Sequence, residues 1–488
     1  MGLREKAAQG VLWSIIQKWG REAISFLCLA VLMRLLGPEA FGLVALASIF
    51  MEFLDLFLDQ GLSAAVVQRA DLEREHLDTA FWVSVFTGIL LTVGTVASSG
   101  LLATFFEQPR LAPVLNWLSI GFILHGLSST QMAILQRELA FKSLAVRSTT
   151  AKAIGGVVGI SLAYVGFGVW SLVAQKLAAG LAAIIVLWRA SDWRPWFNVS
   201  RKHFRELFSF GVSVVGNNML TQIIRHSDDL LIGYFLGPTL LGYYTVGYRL
   251  LLIIMILVTG IINTVAFPAF ARLQQNPERM LRAFYNVTQY TSLLAFPVFI
   301  GLGILAPELI PALFGEKWVP SIPVMQVLAL FGILQSVLTF NGSIMRACGK
   351  PSWQFGIMLL NAVCSVIGFL LAVHWGIVAV AASLVIVSYL LAPISYIAVH
   401  RLIQVNFRTY LRQFLAPLSA SLIMAIIIIG LKNVFRQQEF NTYLQLSIYL
   451  TAGGLTYLLV IGLAARSLSR QVLELVSFVL PNWKLKKI

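Results

Sequence analysis

The sequence is poor in charged residues and in cysteine. Charged residues make up 12% of the 488 positions and hydrophobic residues 58%, whereas soluble chains carry about 25% charged residues. Its three cysteines are Cys28, Cys348 and Cys364. All three fall within or beside apolar stretches, which predicts free apolar side chains and excludes a disulfide framework. This composition indicates a membrane protein.

Sequence signatures of catalysis and cofactor binding are also missing. No glycine-rich phosphate loop is followed by Lys and Ser or Thr, so nothing predicts ATP hydrolysis by this chain. No group of Cys and His residues has the spacing of a metal site. We therefore expect no catalytic residue, no metal and no cofactor, and the chain is not expected to be an enzyme.

Fourteen apolar stretches are long enough to cross a bilayer as helices, which takes about 20 residues. The predicted spans are residues 8–36, 40–66, 78–105, 111–135, 144–166, 168–188, 207–236, 239–270, 285–314, 319–345, 353–374, 376–399, 413–431 and 443–465. The predicted fold class is an all-α polytopic membrane protein with 14 transmembrane helices.

The basic residues alternate between the gaps that separate these spans. Of the 36 Lys and Arg residues, eight lie within spans and four in odd-numbered gaps, which leaves 24 in the even-numbered gaps and the two termini. Basic residues favour the cytoplasmic side of a membrane, so both termini are predicted to be cytoplasmic. The net charge of +15 is then explained by anionic membrane lipids, without nucleic acid as a partner.

The chain contains an internal repeat. Leu36-Gly37-Pro38, followed by Gly42, recurs as Leu236-Gly237-Pro238, followed by Gly242. Phe167-Gly168-Val169-Trp170 before span six likewise resembles Trp375-Gly376-Ile377-Val378 before span twelve. Six spans followed by six of the same orientation predict two parallel-repeat lobes around a central cavity. The last two spans lie outside the repeat.

The repeat divides the chain into four parts. We predict an N-terminal lobe in residues 1–189, a cytoplasmic linker in 190–206 and a C-terminal lobe in 207–400. Residues 401–488 hold spans thirteen and fourteen and a cytoplasmic tail. The linker contains Trp193-Arg194-Pro195-Trp196, and we expect it to lie on the membrane surface as an amphipathic segment.

Ionisable and polar residues within the spans concentrate in spans one, two, seven and eight. Such residues cost roughly 2.5 to 3.5 kcal/mol each on insertion scales, so they face protein or water. In span two, Glu52, Asp55 and Asp59 follow one another at i, i+3 and i+7. The stripe Lys18, Glu22 and Ser25 of span one is mirrored in span seven by Asn218, Gln222 and Arg225. These stripes predict a polar, water-filled cavity.

Several of these residues also fit structural roles. Lys18 with Glu22, or Arg21 with Asp55, would form ion pairs that hold helices together. Lys152 and Lys176 are interpreted as structural or snorkelling side chains, and His125 and His226 as ordinary hydrogen-bonded histidines, not proton carriers. Asp228 and Asp229 would pair with Arg225 and Arg249 or act as an outer gate.

Loop and packing motifs carry a family resemblance. The segments are residues 61–69 (GLSAAVVQR), 167–170 (FGVW), 235–244 (FLGPTLLGYY), 267–274 (FPAFARLQ) and 313–318 (LFGEKW). They resemble Wzx-type polysaccharide flippases of the multidrug/oligosaccharidyl-lipid/polysaccharide exporter superfamily. The resemblance implies transfer of undecaprenyl-diphosphate-linked oligosaccharides across the bacterial inner membrane, for surface polysaccharide biosynthesis. A polysaccharide polymerase and glycosyltransferases would be its partners.

The chemistry of that cargo assigns expected roles to the cavity residues, because cations attract a diphosphate and the planar guanidinium of Arg binds two oxygens at once. The expected substrate-binding residues are Lys18, Arg21, Asn218, Gln222, Arg225, Tyr244, Tyr248 and Arg249. The expected ion-coupling or gating residues are Glu22, Glu52, Asp55, Asp59, Asp228 and Asp229. The two tyrosines would stack on sugar rings or, as the alternative, serve as interfacial or core aromatic residues.

Two alternative functions are weaker. A multidrug exporter of the same superfamily would have a more apolar cavity with one or two isolated carboxylates. A membrane glycosyltransferase or polymerase would need catalytic side chains on a long external loop, and the odd-numbered gaps are all short.

The charge alternation predicts the topology directly. Cysteines introduced at Glu107 and Lys432 should react with a membrane-impermeant maleimide on intact cells, in a background without the native cysteines. Cysteines at Glu75 and His203 should react only after permeabilisation. Reversal at two of these four positions would contradict the predicted orientation.

Overall fold

A computed structural model describes residues 22–59, 62–69, 71–205, 222, 225–435 and 441–464. Helices make up nearly all of these residues, and no strand occurs among them. The described residues form two compact units, which meet along the chain between Thr245 and Val246.

The first unit contains eight helices and the start of a ninth. Their bounds are α1 (22–35), α2 (Pro38–Asp59), α3 (Leu62–Gln68), α4 (Arg74–Phe105), α5 (Leu111–Arg137), α6 (Phe141–Tyr164), α7 (Val169–Ala190), α8 (225–235) and α9 (Gly237–Arg272). For α1 and α8 these are the described residues. Helix α2 packs against α4, α5 and α7, and α4 and α6 pack along α5 and α7 respectively.

The second unit continues with the rest of α9 and six further helices. These are α10 (Pro277–Phe314), α11 (Ile322–Ala347), α12 (Pro351–Ala372), α13 (Ile377–Ile403), α14 (Phe407–Phe435) and α15 (Thr442–Ala464). Helix α10 packs against α11, α14 and α15, while α13 packs against α11 and α12. With 38 residues, α10 would be about 57 Å long and therefore extends beyond a bilayer core of about 30 Å.

Eleven helices of the described chain are long and apolar enough to span a membrane. They coincide with predicted spans two to four, six and eight to fourteen. Span five is the 24-residue helix α6, which is more polar because it carries Lys142, Arg147 and Lys152. The chain is therefore an all-helical, multi-pass membrane protein, while parts of spans one and seven lie outside the described residues.

Predicted span two is too long. Helix α2 ends at Asp59, and residues 62–66 belong to the separate seven-residue helix α3. Arg137 of α5 donates hydrogen bonds to the carbonyl oxygens of Val66 and Arg69 at the end of α3. These bonds satisfy carbonyls that lack partners within a helix end. Hydropathy alone did not separate α2 from α3, because α3 is itself apolar.

Glycine and proline shape the two repeats in the same way. Pro38 begins α2, and Gly237-Pro238 begins α9. Gly168 before α7 has φ +57° and Gly376 before α13 has φ +94°, a backbone region that favours glycine. The matched sequence motifs thus become matched helix starts.

The repeated Leu-Gly-Pro motifs also contact each other. A Cβ atom on Gly42 would overlap the carbonyl oxygen of Pro238, and one on Gly242 would overlap that of Pro38. The Cβ position of Gly42 lies 3.0 Å from the Gly242 amide nitrogen. The starts of α2 and α9 therefore cross at backbone distance, a reciprocal contact that only small residues permit.

Helices α14 and α15 are attached to α10 by an apolar cluster and by polar contacts. The cluster includes Leu293, Met424 and Tyr457, and the Tyr457 hydroxyl donates to the Leu293 carbonyl oxygen over 2.7 Å. Lys432 of α14 pairs with Glu308 of α10 at 2.7 Å. Because Lys432 is held in this way, the exposed Asn433 is the better external labelling position.

The close contact of Gly42 and Gly242 with the neighbouring prolines, which we call the glycine crossing, predicts different effects on stability for two alanine substitutions. Gly242→Ala should destabilise this conformation by about 1 to 3 kcal/mol, because the added methyl group meets the Pro38 backbone. Gly100→Ala on α4 is the matched control, since no atom lies within 4 Å of its Cβ position. Thermal unfolding in detergent should show a lower Tm for the first variant alone. Equal Tm values for the two variants would contradict the crossing.

Candidate functional site

The polar residues of α2 form a stripe along one face of the helix. Ser48, Glu52 and Asp55 are spaced at i, i+4 and i+7, a spacing that places side chains on one side of a helix. We call these three residues the α2 stripe. The segment Pro38–Leu58 is one of the candidate membrane spans, so each charge on the stripe needs a partner or water.

A lysine from a neighbouring helix reaches the stripe. The Lys176 Nζ of α7 donates a hydrogen bond to the Ser48 hydroxyl. The positive charges of Lys176 and Arg225 also act on Glu52. Glu52 thus lies within electrostatic range of two cations from two helices. The hydrogen bond to Ser48 is a structural role for Lys176, as considered from the sequence. Its positive charge also contributes to the polar site.

His226 of α8 lies between two carboxylates. Its Nε2 is 2.9 Å from Oε2 of Glu52, and its Nδ1 is 3.6 Å from Oδ2 of Asp229. The His226 side chain is 18% exposed. An imidazole flanked by two carboxylates is stabilised in its doubly protonated, cationic form. This histidine thus connects α2 of the first repeat with α8 of the second.

The far end of the stripe contacts α5. Nδ1 of His125 is 3.4 Å from Oδ1 of Asp55. The side chains of His125 and Asp55 are 42% and 45% exposed, and that of Glu52 is 46% exposed. Charged groups in a membrane-spanning helix are not left facing hydrocarbon. The exposed charges of the α2 stripe therefore require polar surroundings, and the water-filled cavity stays a prediction.

Two of the predicted residues form contacts within the bundle. Glu22 of α1 pairs with Lys152 of α6 at 3.6 Å. This ion pair gives Lys152 a structural role, because it joins α6 to α1. Tyr244 is fully buried, and its hydroxyl donates to Oδ2 of Asp228 over 2.7 Å. The buried ring fits the alternative considered for Tyr244, that of a core aromatic residue.

The remaining predicted residues are located less completely. Lys18, Arg21 and Asn218 lie outside the described residues, as does the Asp59 side chain at the end of α2. Gln222 is half-buried and Arg225 is exposed. Tyr248 and Arg249 are half-buried on α9.

Sequence reasoning gave three participants only structural or hydrogen-bonding roles and did not place them in the polar site. His125, Lys176 and His226 come from α5, α7 and α8, and each contacts the α2 stripe. The available signal was the stripe itself: extending Glu52 and Asp55 back by one turn to Ser48 shows a polar face that requires partners from neighbouring helices. Sequence spacing alone does not say which helices supply them.

The second unit contains a cavity of a different character. Its volume is 340 Å³, and it lies between α9, α10, α14 and α15. Residues that line it include Ile254, Pro297, Gly301, Met424 and Gly453. Helices α14 and α15, which correspond to spans thirteen and fourteen, thus form one wall of an apolar cavity.

The linker between the repeats is extended and packs on the start of α4. Residues 191–200 are not helical, and only 201–205 form a helical turn. The Trp196 amide donates to Oδ1 of Asp78 over 3.0 Å, and Trp82 Nε1 donates to the Trp196 carbonyl oxygen over 2.9 Å. The Trp82 and Phe197 rings lie 4.1 Å apart. The linker therefore packs on α4 through these contacts, while Trp196 and Phe197 remain 66% and 85% exposed, and its position on the membrane surface stays a prediction.

The fold is that of a membrane transporter. An inward closed conformation of the lipid II flippase MurJ matches with a TM-score of 0.76 at 14% identity, covering 94% of this chain and 99% of that one. An inward-facing multidrug resistance transporter of the MATE family matches with a TM-score of 0.63 at 16% identity, covering 78% and 94%. At these identities the likeness shows the fold.

The sequence places the chain in a family. A family model described as polysaccharide biosynthesis protein matches residues 31–323. The succinoglycan biosynthesis transport protein ExoT of Rhizobium meliloti is 30% identical over 475 residues, 96% of this chain and 95% of that protein. The teichuronic acid biosynthesis protein TuaB of Bacillus subtilis is 28% identical over 419 residues, 83% and 85% of the two chains. The chain belongs to this polysaccharide biosynthesis family, and it is a transporter, not an enzyme.

The His226 contacts predict energetic coupling between α2 and α8. Glu52→Gln and His226→Gln should each lower the Tm, and the double variant should lose less than the sum, with a coupling of about 1 kcal/mol for a partly exposed pair. The control cycle is Glu39→Gln with Arg110→Gln, a pair at 3.0 Å whose side chains are 52% and 75% exposed. Its coupling should be near zero. Additive losses at Glu52 and His226 would show that the two side chains do not interact.

Proposed function

We propose that this protein moves undecaprenyl-diphosphate-linked oligosaccharide repeat units across the bacterial inner membrane by alternating access, for surface polysaccharide biosynthesis. In this proposal, 14 spans form two six-helix lobes and two additional C-terminal helices, with both termini in the cytoplasm. Named relatives that support it include the transport protein ExoT and the probable low-salt glycan biosynthesis flippase Agl15 of Haloferax volcanii.

The observation that carries the proposal is the partly exposed α2 stripe with its cationic partners. Glu52 and Asp55 lie in a membrane-spanning helix, yet almost half of each side chain is exposed. A sealed structural ion pair would have been desolvated. Exposed charges of both signs within a membrane span favour a hydrated route for a polar cargo.

The charge of a lipid diphosphate explains why cations are needed along that route. The cargo carries about two negative charges, and one cation at 4 Å contributes about 4 kcal/mol at an effective dielectric constant of 20. This is of the same size as the cost of placing a charge in the membrane interior. Arg225 is suited to the task because it is exposed and its planar guanidinium binds two phosphate oxygens at once.

The lipid part of the cargo requires a different surface. A polyprenyl chain gains about 0.8 kcal/mol for each CH₂ group that leaves water, and it does not enter a charged site. The apolar cavity bordered by Met424 and Gly453 offers a surface of this kind in the second unit. Cargo with a charged head and a hydrocarbon tail matches a chain that contains both environments.

A multidrug exporter is the second candidate, since a transporter of the MATE family shares the fold. The α2 stripe argues against it, because acidic, basic and histidine side chains meet there. A lipophilic cation would be repelled by Lys176 and Arg225, whereas a diphosphate would be attracted. Glycosyltransferases and a polysaccharide polymerase would act before and after the transport step.

The proposal predicts that Arg225 is needed for transport and not for folding. Arg225→Ala should reduce flipping of a fluorescent polyprenyl-diphosphate oligosaccharide in proteoliposomes at least tenfold, with an unchanged Tm. Arg225→Lys should recover part of the rate, because the charge returns but the planar fork does not.

Arg408→Ala is the matched control, because Arg408 is exposed at the start of α14 outside the α2 stripe. It should flip the substrate at the wild-type rate. A normal rate for Arg225→Ala would exclude this arginine from the binding site. A lower Tm that Glu52→Gln restores would assign it to a structural ion pair.

A further inference from the structure

The linker places the His203 side chain beside Glu73 and His76 at the start of α4. Glu73 is the N-cap residue of α4, and its side chain accepts the backbone N–H of His76. The Ser200 amide donates to the Thr79 hydroxyl over 3.1 Å. This contact fixes the linker just before the helical turn that contains His203. Nε2 of His203 lies 3.2 Å from Oε2 of Glu73.

Glu73, His76 and His203 form a compact group of metal-ligand types. One ligand atom from each residue lies within 4.8 Å of the other two. The rings of His76 and His203 are 4.2 Å apart. In a tetrahedral zinc site, ligand atoms are separated by about 3.3 Å, given metal–ligand bonds of about 2.0 to 2.2 Å. The three groups therefore need to approach by about 1.5 Å at most.

The three side chains range from buried to exposed, as expected for ligands of an ion at the edge of the helix bundle. His76 is 1% exposed, while the side chains of His203 and Glu73 are 12% and 62% exposed. Nδ1 of His203 is buried without a hydrogen-bond partner among the described residues. A buried ring nitrogen without a partner costs free energy, which a ligand would recover.

We propose that Glu73, His76 and His203 bind one divalent transition-metal ion of the zinc type, which attaches the linker to α4. Two imidazoles and one carboxylate select such an ion over Mg²⁺ or Ca²⁺, which prefer oxygen ligands. Three protein ligands leave one coordination position for water. This site is independent of the proposed transport function, because none of its residues belongs to the α2 stripe.

Binding has a definable cost at His76. Its Nδ1 accepts the Glu73 amide N–H over 3.2 Å. Coordination through Nδ1 would displace this bond, and coordination through Nε2 would require the proton on Nδ1, which also breaks it. The cost is therefore one long hydrogen bond at an exposed helix end, where water replaces the lost partner.

Charged residues of both signs surround the three proposed ligands. Arg74 lies over the Trp196 ring at 4.9 Å, and the helical turn of the linker carries Arg201, Lys202 and Arg205. Glu75 and the buried Asp78 on α4 supply negative charge. Protons compete with a metal ion for histidine nitrogens, so affinity should fall as the pH is lowered.

The consequence of binding is restraint of the chain between the two repeats. The linker connects α7 to the segment that carries Arg225 and His226. An ion held by two residues of α4 and one of the linker joins positions that are 127 residues apart, 203 minus 76. Because the even-numbered gaps and the linker are predicted to face the cytoplasm, the ion would come from that side.

The test is a calorimetric titration of the full-length, tag-free protein in detergent with Zn²⁺. We expect one Zn²⁺ per chain, with a Kd in the micromolar range or below at pH 7.5 and at least tenfold weaker binding at pH 5.5. His203→Gln and Glu73→Gln should each weaken binding at least tenfold. Zn²⁺ should also slow amide exchange of residues 196–203 in the wild-type protein alone.

His374→Gln is the matched control, because His374 is an exposed histidine in the second unit. It should bind Zn²⁺ as tightly as the wild type. Absence of stoichiometric binding up to 1 mM Zn²⁺ would overturn the proposal. Unchanged affinity in His203→Gln, when its Tm shows that it is folded, would overturn it as well. Co²⁺ absorbance provides a second readout, since nitrogen and oxygen coordination produces visible bands that His203→Gln should lose.

Discussion

The cost of a charge in hydrocarbon is the constraint that organises this protein. Glu52 and Asp55 lie in a membrane-spanning helix, where each needs a partner or water. Side chains from three other helices approach the stripe, and yet Glu52 and Asp55 remain almost half exposed. Pairing alone would have favoured burial. The combination of partial pairing and exposure requires polar space beside α2, and this requirement connects the packing of α2, α5, α7 and α8 to transport.

The glycine crossing adds a second link between the repeats. His226 joins α8 to α2 through Glu52, and Gly42 and Gly242 join the starts of α2 and α9. The first contact depends on charge and the second on the absence of side chains. Both contacts involve α2. This helix therefore cannot separate from the second repeat without breaking both an ion pair and a close backbone contact.

Helix positions were predictable, whereas contacts between helices were not. Hydropathy located α4 to α7 and α9 to α15 to within eight residues at each end, because membrane-spanning length is a local property of the sequence. It did not separate α2, which ends at Asp59, from the equally apolar α3. It left open whether Tyr244 lies in the core, where the ring is buried, since the rotation of a helix about its axis is set by its neighbours. His203 and Glu73 are far apart in sequence, so no spacing rule could have joined them.

One unit contains a charged cluster and the other an apolar cavity, and this difference limits which classes of cargo fit the protein. A small hydrophilic substrate would need the polar stripe but no apolar cavity, and a lipophilic drug would need the cavity but no cluster of mixed charges. The first unit contains the cluster around Glu52 and His226, and the second contains the cavity beside Met424 and Gly453. In the proposed function, a lipid-linked cargo has a polar head suited to surroundings like the cluster and a tail suited to apolar surroundings. The diphosphate of the proposed cargo would account for the cationic side of the cluster, which neither alternative cargo would do.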